Sequence, residues 1–422
     1  MRHRSSTAPL NLLPWRKVPA LLLVFGGLIA LLGAIVYPTQ FAFSWLLAFM
    51  FFLSLSLGAL FLVLAHHLFD AAWSVPIRRF CEHLAALLFP WMALLFLPIA
   101  FLAKSIYPWM SANPQNDHAL AAKLPLFTVP MFYVTAAFCF LVWWGLTNRL
   151  RYWSLQQDVT GAAKPTHRMR FYSGIGVFFY AVTLSLAAIL WVKSLQYQWF
   201  STMYGVYYFA GSVWLALATA YVITMVLDRQ GVLSEVLHEH QYYYLGSLLF
   251  AFTVFYAYIA FSQYFIIWNG NMPEETFWYV LRERGTWFWV SMVIIFGHFF
   301  IPFVALLRID VKSVFAYMVP LCLWAWLMHW TDLSFNIMPV LHPAGFPFGW
   351  LWLSFGCGAF MAGLLSLAFL RDYAKHPPFP IKDPRLMESL GLHSSLAEGA
   401  HGGAAGSTAL TDAPPQFRGG QL

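Results

Sequence analysis

Ten apolar runs, each close to the length of a membrane-crossing helix, constrain this chain more than any other feature of its sequence. They fall at 18–37, 41–65, 84–103, 125–147, 171–192, 200–227, 242–267, 286–307, 313–330 and 348–370. A helix needs ~20 apolar residues to cross ~30 Å of hydrocarbon, and in lipid its backbone polar groups must be satisfied internally. Composition agrees: 10% of residues are charged, against about 25% in an ordinary soluble domain. The expected fold is an all-α integral membrane protein with ten transmembrane helices across 18–371. A cytoplasmic segment, 1–17, precedes them. After residue 371 the chain turns rich in Pro, Gly, Ser and Ala, and 372–422 is expected to be a cytoplasmic, largely disordered tail.

Orientation follows from the basic residues. With the N-terminus inside, nineteen of the 24 Lys and Arg lie in inner segments, which favours both termini on the cytoplasmic side. The net charge of +7 is then an insertion signal and a fit to anionic lipid, not to nucleic acid. The first apolar run is too long for a signal-peptide core and has no small-x-small cleavage site, so it is expected to be retained. The 4 cysteines, Cys81, Cys139, Cys322 and Cys357, form neither CxxC nor CxxCH, which argues against zinc fingers, thiol redox pairs, c-type haem and iron–sulfur ligation. No GxxxxGK[ST] supports ATP-driven transport.

Polar residues concentrate in three places. "VLAHHLFDAAWSVPIRRFCEHL" (63–84) sets His66, Asp70, Arg78, Arg79, Glu82 and His83 at the inner end of the second and third runs. His66 and Asp70, four apart, share a helix face. Anchoring at the lipid interface is one reading; a proton-exchanging cytoplasmic entrance is the other, because histidine and carboxylate pKa values bracket neutrality. Near the outer interface gather Lys193, Tyr204, Tyr207, Gln263, Tyr264, Glu274 and Glu275, with His329 and Asp332. An aromatic belt explains most of these rings but not Lys193 or the glutamates. Between the two sets stands His298, about midway through the eighth run, either a satisfied core residue or a midplane relay. The proton path expected from these residues has His66, Asp70, Glu82 and His83 as its mouth, His298 as its relay, and Lys193 with Glu275 at its exit. Haem b is not expected: of the histidines, only His66, His67 and His83 lie at matching depth, and they sit too close to the interface.

The stretches "HHLFDAAWSVPIRRFCEHL", "WVKSLQYQWFSTMYG" and "HQYYYLGSLLFAFTVFYAYIAFSQYFIIWNGNMPEETFW" resemble the NrfD/PsrC-like membrane subunits. Among these the likeness is to the ActF-type second large subunit of bacterial alternative complex III, a quinol:electron-acceptor oxidoreductase. The resemblance spans about 17–370 and excludes the tail. It implies ten helices, eight of them in two four-helix bundles plus two peripheral helices, in the bacterial inner membrane. It also implies partners: a sister NrfD-like subunit, multihaem and monohaem cytochromes c, an iron–sulfur protein and, in some assemblies, a terminal oxidase. Haem c and iron–sulfur clusters would reside in those partners, while this chain would bind no cofactor of its own beyond contact with quinone or menaquinone. Tyr204, Gln263 and Tyr264 are the candidates for quinone or interface contact. A purely structural scaffold and a stand-alone secondary transporter are the competing readings; Pro130 and Pro302 do not supply the matched helix breaks of the latter.

Overall fold

The computed structural model describes residues 13–390. The expected segment 1–17 lies mostly outside that range, as does the tail from 391. Among the described residues the fold is all-helical, and nine helices are long and apolar enough to cross a membrane. The principal helices are α1 (Lys17–Val36), α2 (Pro38–Leu68), α3 (Val75–Ala85), α4 (Trp91–Phe101), α5 (Val129–Thr160), α6 (Ala163–Trp191) and α7 (Tyr204–Arg229). They continue as α8 (Glu239–Gly270), α9 (Pro273–Arg282), α10 (Thr286–Ile294), α11 (Ile301–Leu307), α12 (Phe315–Ile337) and α13 (Leu351–Tyr373).

Nine rather than ten spans satisfy both length and hydropathy, and the difference lies in α12. The run at 313–330 does fold as part of a 23-residue helix. Its second half, however, buries His329, Asp332, Ser334 and Asn336, which lower its mean hydropathy. A helix enclosed by neighbours on most sides need not be apolar all round. α2 and α7 form the centre, with α6, α12 and α13 packed against α2 and α8 against α7. α1 lies along α13 and turns most of its surface outward.

Two runs are interrupted. The third, Ala72–Phe101, is made of α3 and α4 with Pro90 between them. The eighth passes from α10 to α11 through a π-helical turn, Ile295–Phe300, that carries His298. Pro302 has no N–H for the Gly297 carbonyl five residues back in the π register, and that carbonyl accepts instead from Trp324 Nε1 at 2.8 Å. Such turns occur often at functional sites.

Of the tail expected to be disordered from residue 372, the part up to residue 390 is ordered, and the rest lies outside the described residues. Residues 374–390 cross the end of the bundle that holds Arg78. Tyr373 Oη donates to the Pro378 carbonyl at 2.9 Å, Ile381 N to Asp158 Oδ1 at 2.9 Å, and Gln241 Nε2 to the Ser389 carbonyl at 3.1 Å. Composition suggested disorder there; the specific charges of Asp383 and Arg385 explain the order.

Candidate functional site

At the arginine end, α3 starts with Pro76 in its first turn and presents Arg78, Arg79, Glu82 and His83 to the interior, all buried. Glu82 lies 3.1 Å from both guanidinium groups. Arg78 also pairs with Asp383, and Arg79 with Asp158. Arg385 reaches Asp70 at 2.6 Å, and Arg170 joins the same carboxylate at 3.0 Å. Four arginines thus meet four carboxylates, so the cluster is balanced. Buried charges require such pairing.

The hydrogen bonds assign the state of His66. Ser74 Oγ donates to the Ala71 carbonyl at 3.0 Å, so it accepts from His66 Nδ1 at 2.6 Å. That leaves Nε2 to accept from Arg78 Nη1 at 3.1 Å. His66 is therefore the neutral Nδ1–H tautomer, held between a hydroxyl and a guanidinium. Asp70 does not share its helix face as expected: it lies beyond the end of α2 at φ 50°, and this left-handed turn points its carboxylate outward to the two arginines. His83 stands apart from both, against Tyr373 and His376 with ring centroids 5.4 and 5.5 Å away. A cavity of about 550 Å³ adjoins the cluster, lined by His66, Ser74, Arg78 and mostly apolar side chains.

The opposite end holds a second cavity, of about 910 Å³, between α8, α9, α10 and α12. Its walls are mostly apolar and aromatic, with Gln263, Glu283 and Ser291 among them, and its polar residues include a connected group, Tyr207, Tyr256, Arg282, Asp332 and Asn336. Tyr256 Oη donates to Asp332 Oδ1 at 2.8 Å, Tyr207 donates to the same oxygen, and the two tyrosine hydroxyls are 2.8 Å apart. Tyr204 Oη donates to Asn336 Oδ1 at 3.1 Å, one step behind the cavity wall. Gln263 and Tyr264 line the cavity itself; Gln263 Nε2 donates to Tyr279 Oη at 3.1 Å. Arg282 is buried without a carboxylate partner among the described residues. It donates instead to the Phe335, Trp278 and Asn336 carbonyls and to Gln196, with Trp278 stacked 3.5 Å from its guanidinium carbon.

His298 is fully buried and lies between Tyr256, centroid 3.7 Å away, and Trp214, at 4.0 Å. The structure therefore joins it to the tyrosine–aspartate group through Tyr256. It does not join Lys193 to Glu275. Lys193 is buried beside the Phe200 ring at 5.7 Å, and burial together with nearby Lys123 lowers its amine to about 7. Glu275 is half-buried on α9, with no ion pair among the described residues.

Sequence reasoning missed Tyr256 as a site residue and took Asp332 for an interface group, because α12 runs beyond the apolar run that marked it. The partners Asp158 and Asp383 were missed too. Nothing in local spacing links them to Arg79 and Arg78. Their one available sign was charge bookkeeping: an Arg-Arg pair entering an apolar run needs distant carboxylates.

Comparison with protein-family models and with curated proteins finds no match to this sequence.

Proposed function

We propose that this chain is a membrane subunit of a quinol:electron-acceptor oxidoreductase of the alternative complex III type, working with redox partners and holding no redox centre of its own. In that reading it has the NrfD/PsrC-like ten-helix arrangement, lies in a bacterial inner membrane with both termini cytoplasmic, and contacts a quinone-class molecule. The observation that carries the proposal is the second cavity. Its volume suits a substituted ring with part of a chain; its walls are mostly apolar and aromatic, with Gln263, Glu283 and Ser291 among them, and one side combines a carboxylate, two tyrosine hydroxyls and a guanidinium.

A quinol is a good match for that side. Oxidation releases two protons and two electrons, and the electrons pass to centres in partner subunits. Asp332 stands ready as a proton acceptor, with Tyr207 and Tyr256 holding Oδ1 and no protein donor on Oδ2 among the described residues. Arg282 keeps one Nη2 N–H beyond its four donated bonds, the donor it would offer to the carbonyl oxygen of the oxidised ring, and Gln263 and Tyr264 border the approach.

Photo-crosslinking with an azido-quinone in native membranes tests this. Label competed by unlabelled quinone is expected on peptides containing 254–264 or 278–300. In the assembled complex, Asp332→Asn should lower quinol oxidation by about tenfold or more, the scale of losing a positioned acid–base group, without altering partner haem content. Label confined to other segments, together with unchanged turnover in the variant, would overturn the proposal.

A further inference from the structure

The cavity beside the arginine cluster, of about 550 Å³, has strong polar groups on its wall that are already spent. His66 bonds Ser74 through Nδ1 and Arg78 through Nε2, and Ser74 donates to the Ala71 carbonyl. Arg78 directs Nη1 to Asp383 as well as His66, Nη2 to Gln157 at 3.0 Å and Ser154 at 3.5 Å, and Nε toward Glu82 at 3.1 Å. Much of the remaining wall is hydrocarbon, from Phe61, Val63, Ile77, Leu217 and Phe252. The hydroxyls left over, on Tyr244 and Ser247, both belong to α8. A ring carbonyl finds no free donor beside His66 and Arg78; a hydrocarbon chain needs none.

A third cavity, of about 710 Å³, adjoins the first: Trp73 and Tyr244 line both, with ring centroids 6.1 Å apart. This one is polar. The first turn of α8, with Glu239, His240 and Gln241, faces Glu388 and Ser389 of the segment after α13 across it. Neither Glu239 nor Glu388 has an ion pair among the described residues. Tryptophan and tyrosine are the residues that mark the headgroup layer in membrane proteins. Phe69, on the wall of the apolar cavity, is 79% exposed, an aromatic surface that lipid covers and water would not.

We infer that the two cavities form one binding site for an aminophospholipid of the leaflet at the arginine end. One acyl chain occupies the apolar cavity, and the ethanolamine headgroup occupies the polar one with its ammonium toward Glu239 and Glu388. Charge selects the head: an ammonium meets two unpaired carboxylates there, whereas a glycerol head brings only the negative phosphate to the same two charges. The chain packs on Ile77 and Cys81 of α3, the helix that carries Arg78 and Arg79, so an occupied site braces the buried arginine pair from its apolar side. None of this depends on the quinol reading.

Phosphatidylethanolamine carrying a diazirine in one acyl chain, added to the full-length protein in detergent, tests the placement. Label on peptides containing 61–81 or 244–252 should exceed that on the lipid-facing helix α1 and be competed by unlabelled phosphatidylethanolamine. Phosphatidylglycerol with the same chains should compete about fivefold less well, the scale of an exposed ion pair. Glu239→Gln combined with Glu388→Gln, both exposed positions, should bring the two competitors level. Ala65→Trp, a large ring added to the cavity wall, should reduce the label to the α1 background. Label no higher than on α1, or equal competition by the two lipids against the unsubstituted chain, would overturn the inference whether or not the Ala65 variant folds. So would an ethanolamine preference that survives the double substitution, or undiminished label in a folded Ala65→Trp chain. Competition by menaquinone alone would give the cavity to a quinone, and label that appears only after truncation at Leu390 would give it to the rest of this chain; either result also overturns it.

Discussion

Lys193 shows what burial does to a single ionisable residue. Free lysine titrates near 10.4, but here the amine falls to about 7 because it is desolvated and lies near Lys123. Between those two values the unfolded chain binds more protons than the folded one, so stability rises with pH across that window. Below about 7 both states are protonated and the full burial penalty applies. Lys193→Met should therefore raise stability most at about pH 6, by on the order of 2 kcal/mol after allowance for partial solvent screening. The gain should shrink toward pH 10. A gain that is the same at both ends, measured by thermal unfolding in detergent, would remove the titration argument. The misfit of this lysine was legible in the sequence, since few basic residues lie on that side. Its expected place beside Glu275 at one exit fails, because a cross-loop partner depends on helix neighbours; the neighbours are a second lysine and a phenylalanine ring.

The helices themselves were legible to within a few residues wherever lipid-facing length dictated them, as in α1 and the α10–α11 span. Legibility failed where protein replaces lipid as the surroundings. α12 extends seven residues past its expected end at 330, since interior polar groups can be satisfied by α2, α7 and α8. The α1–α13 contact is a further feature that hydropathy hides. Cβ atoms at Gly26 and Gly363 would strike main-chain oxygens: Gly356 O at 2.7 Å and Pro19 O at 2.5 Å. Backbone cannot yield as a flexible side chain can, and the absence of side chains lets the two helices approach closely. Gly26→Leu and Gly363→Leu should each destabilise by about 1–3 kcal/mol or more through overpacking. Gly145→Leu, whose Cβ meets nothing within 4 Å, should change Tm little. Equal effects at all three positions would show that helix propensity, not the interlock, controls the response.

At the scale of the whole molecule, the two ends are built by different physics. The cavity end combines neighbours on α8 to α12, and several of its residues could be picked out as polar interruptions in apolar runs. The arginine end depends on residues some 300 positions apart in the chain: Asp383 on Arg78 and Arg385 on Asp70. No periodicity reports a pairing of that range, and the segment bearing it has the composition of a tail. Yet Asp383 has a fully buried side chain, so its removal would leave Arg78 with Glu82 as its one carboxylate partner among the described residues, which Arg79 already shares. Breaking a buried ion pair from one side costs about 3–5 kcal/mol, because the remaining charge stays desolvated. A chain truncated after Leu390, which keeps Asp383 and Arg385, is the reference for the effect of this segment. One truncated after His376 should lose stability on that scale, and Asp383→Asn in the full-length chain should reproduce much of the loss. If truncation after His376 lowers Tm while Asp383→Asn does not, the segment acts through its backbone contacts to Asp158 and Gln241 instead. If neither change lowers Tm, the segment contributes nothing to holding that end of the bundle together.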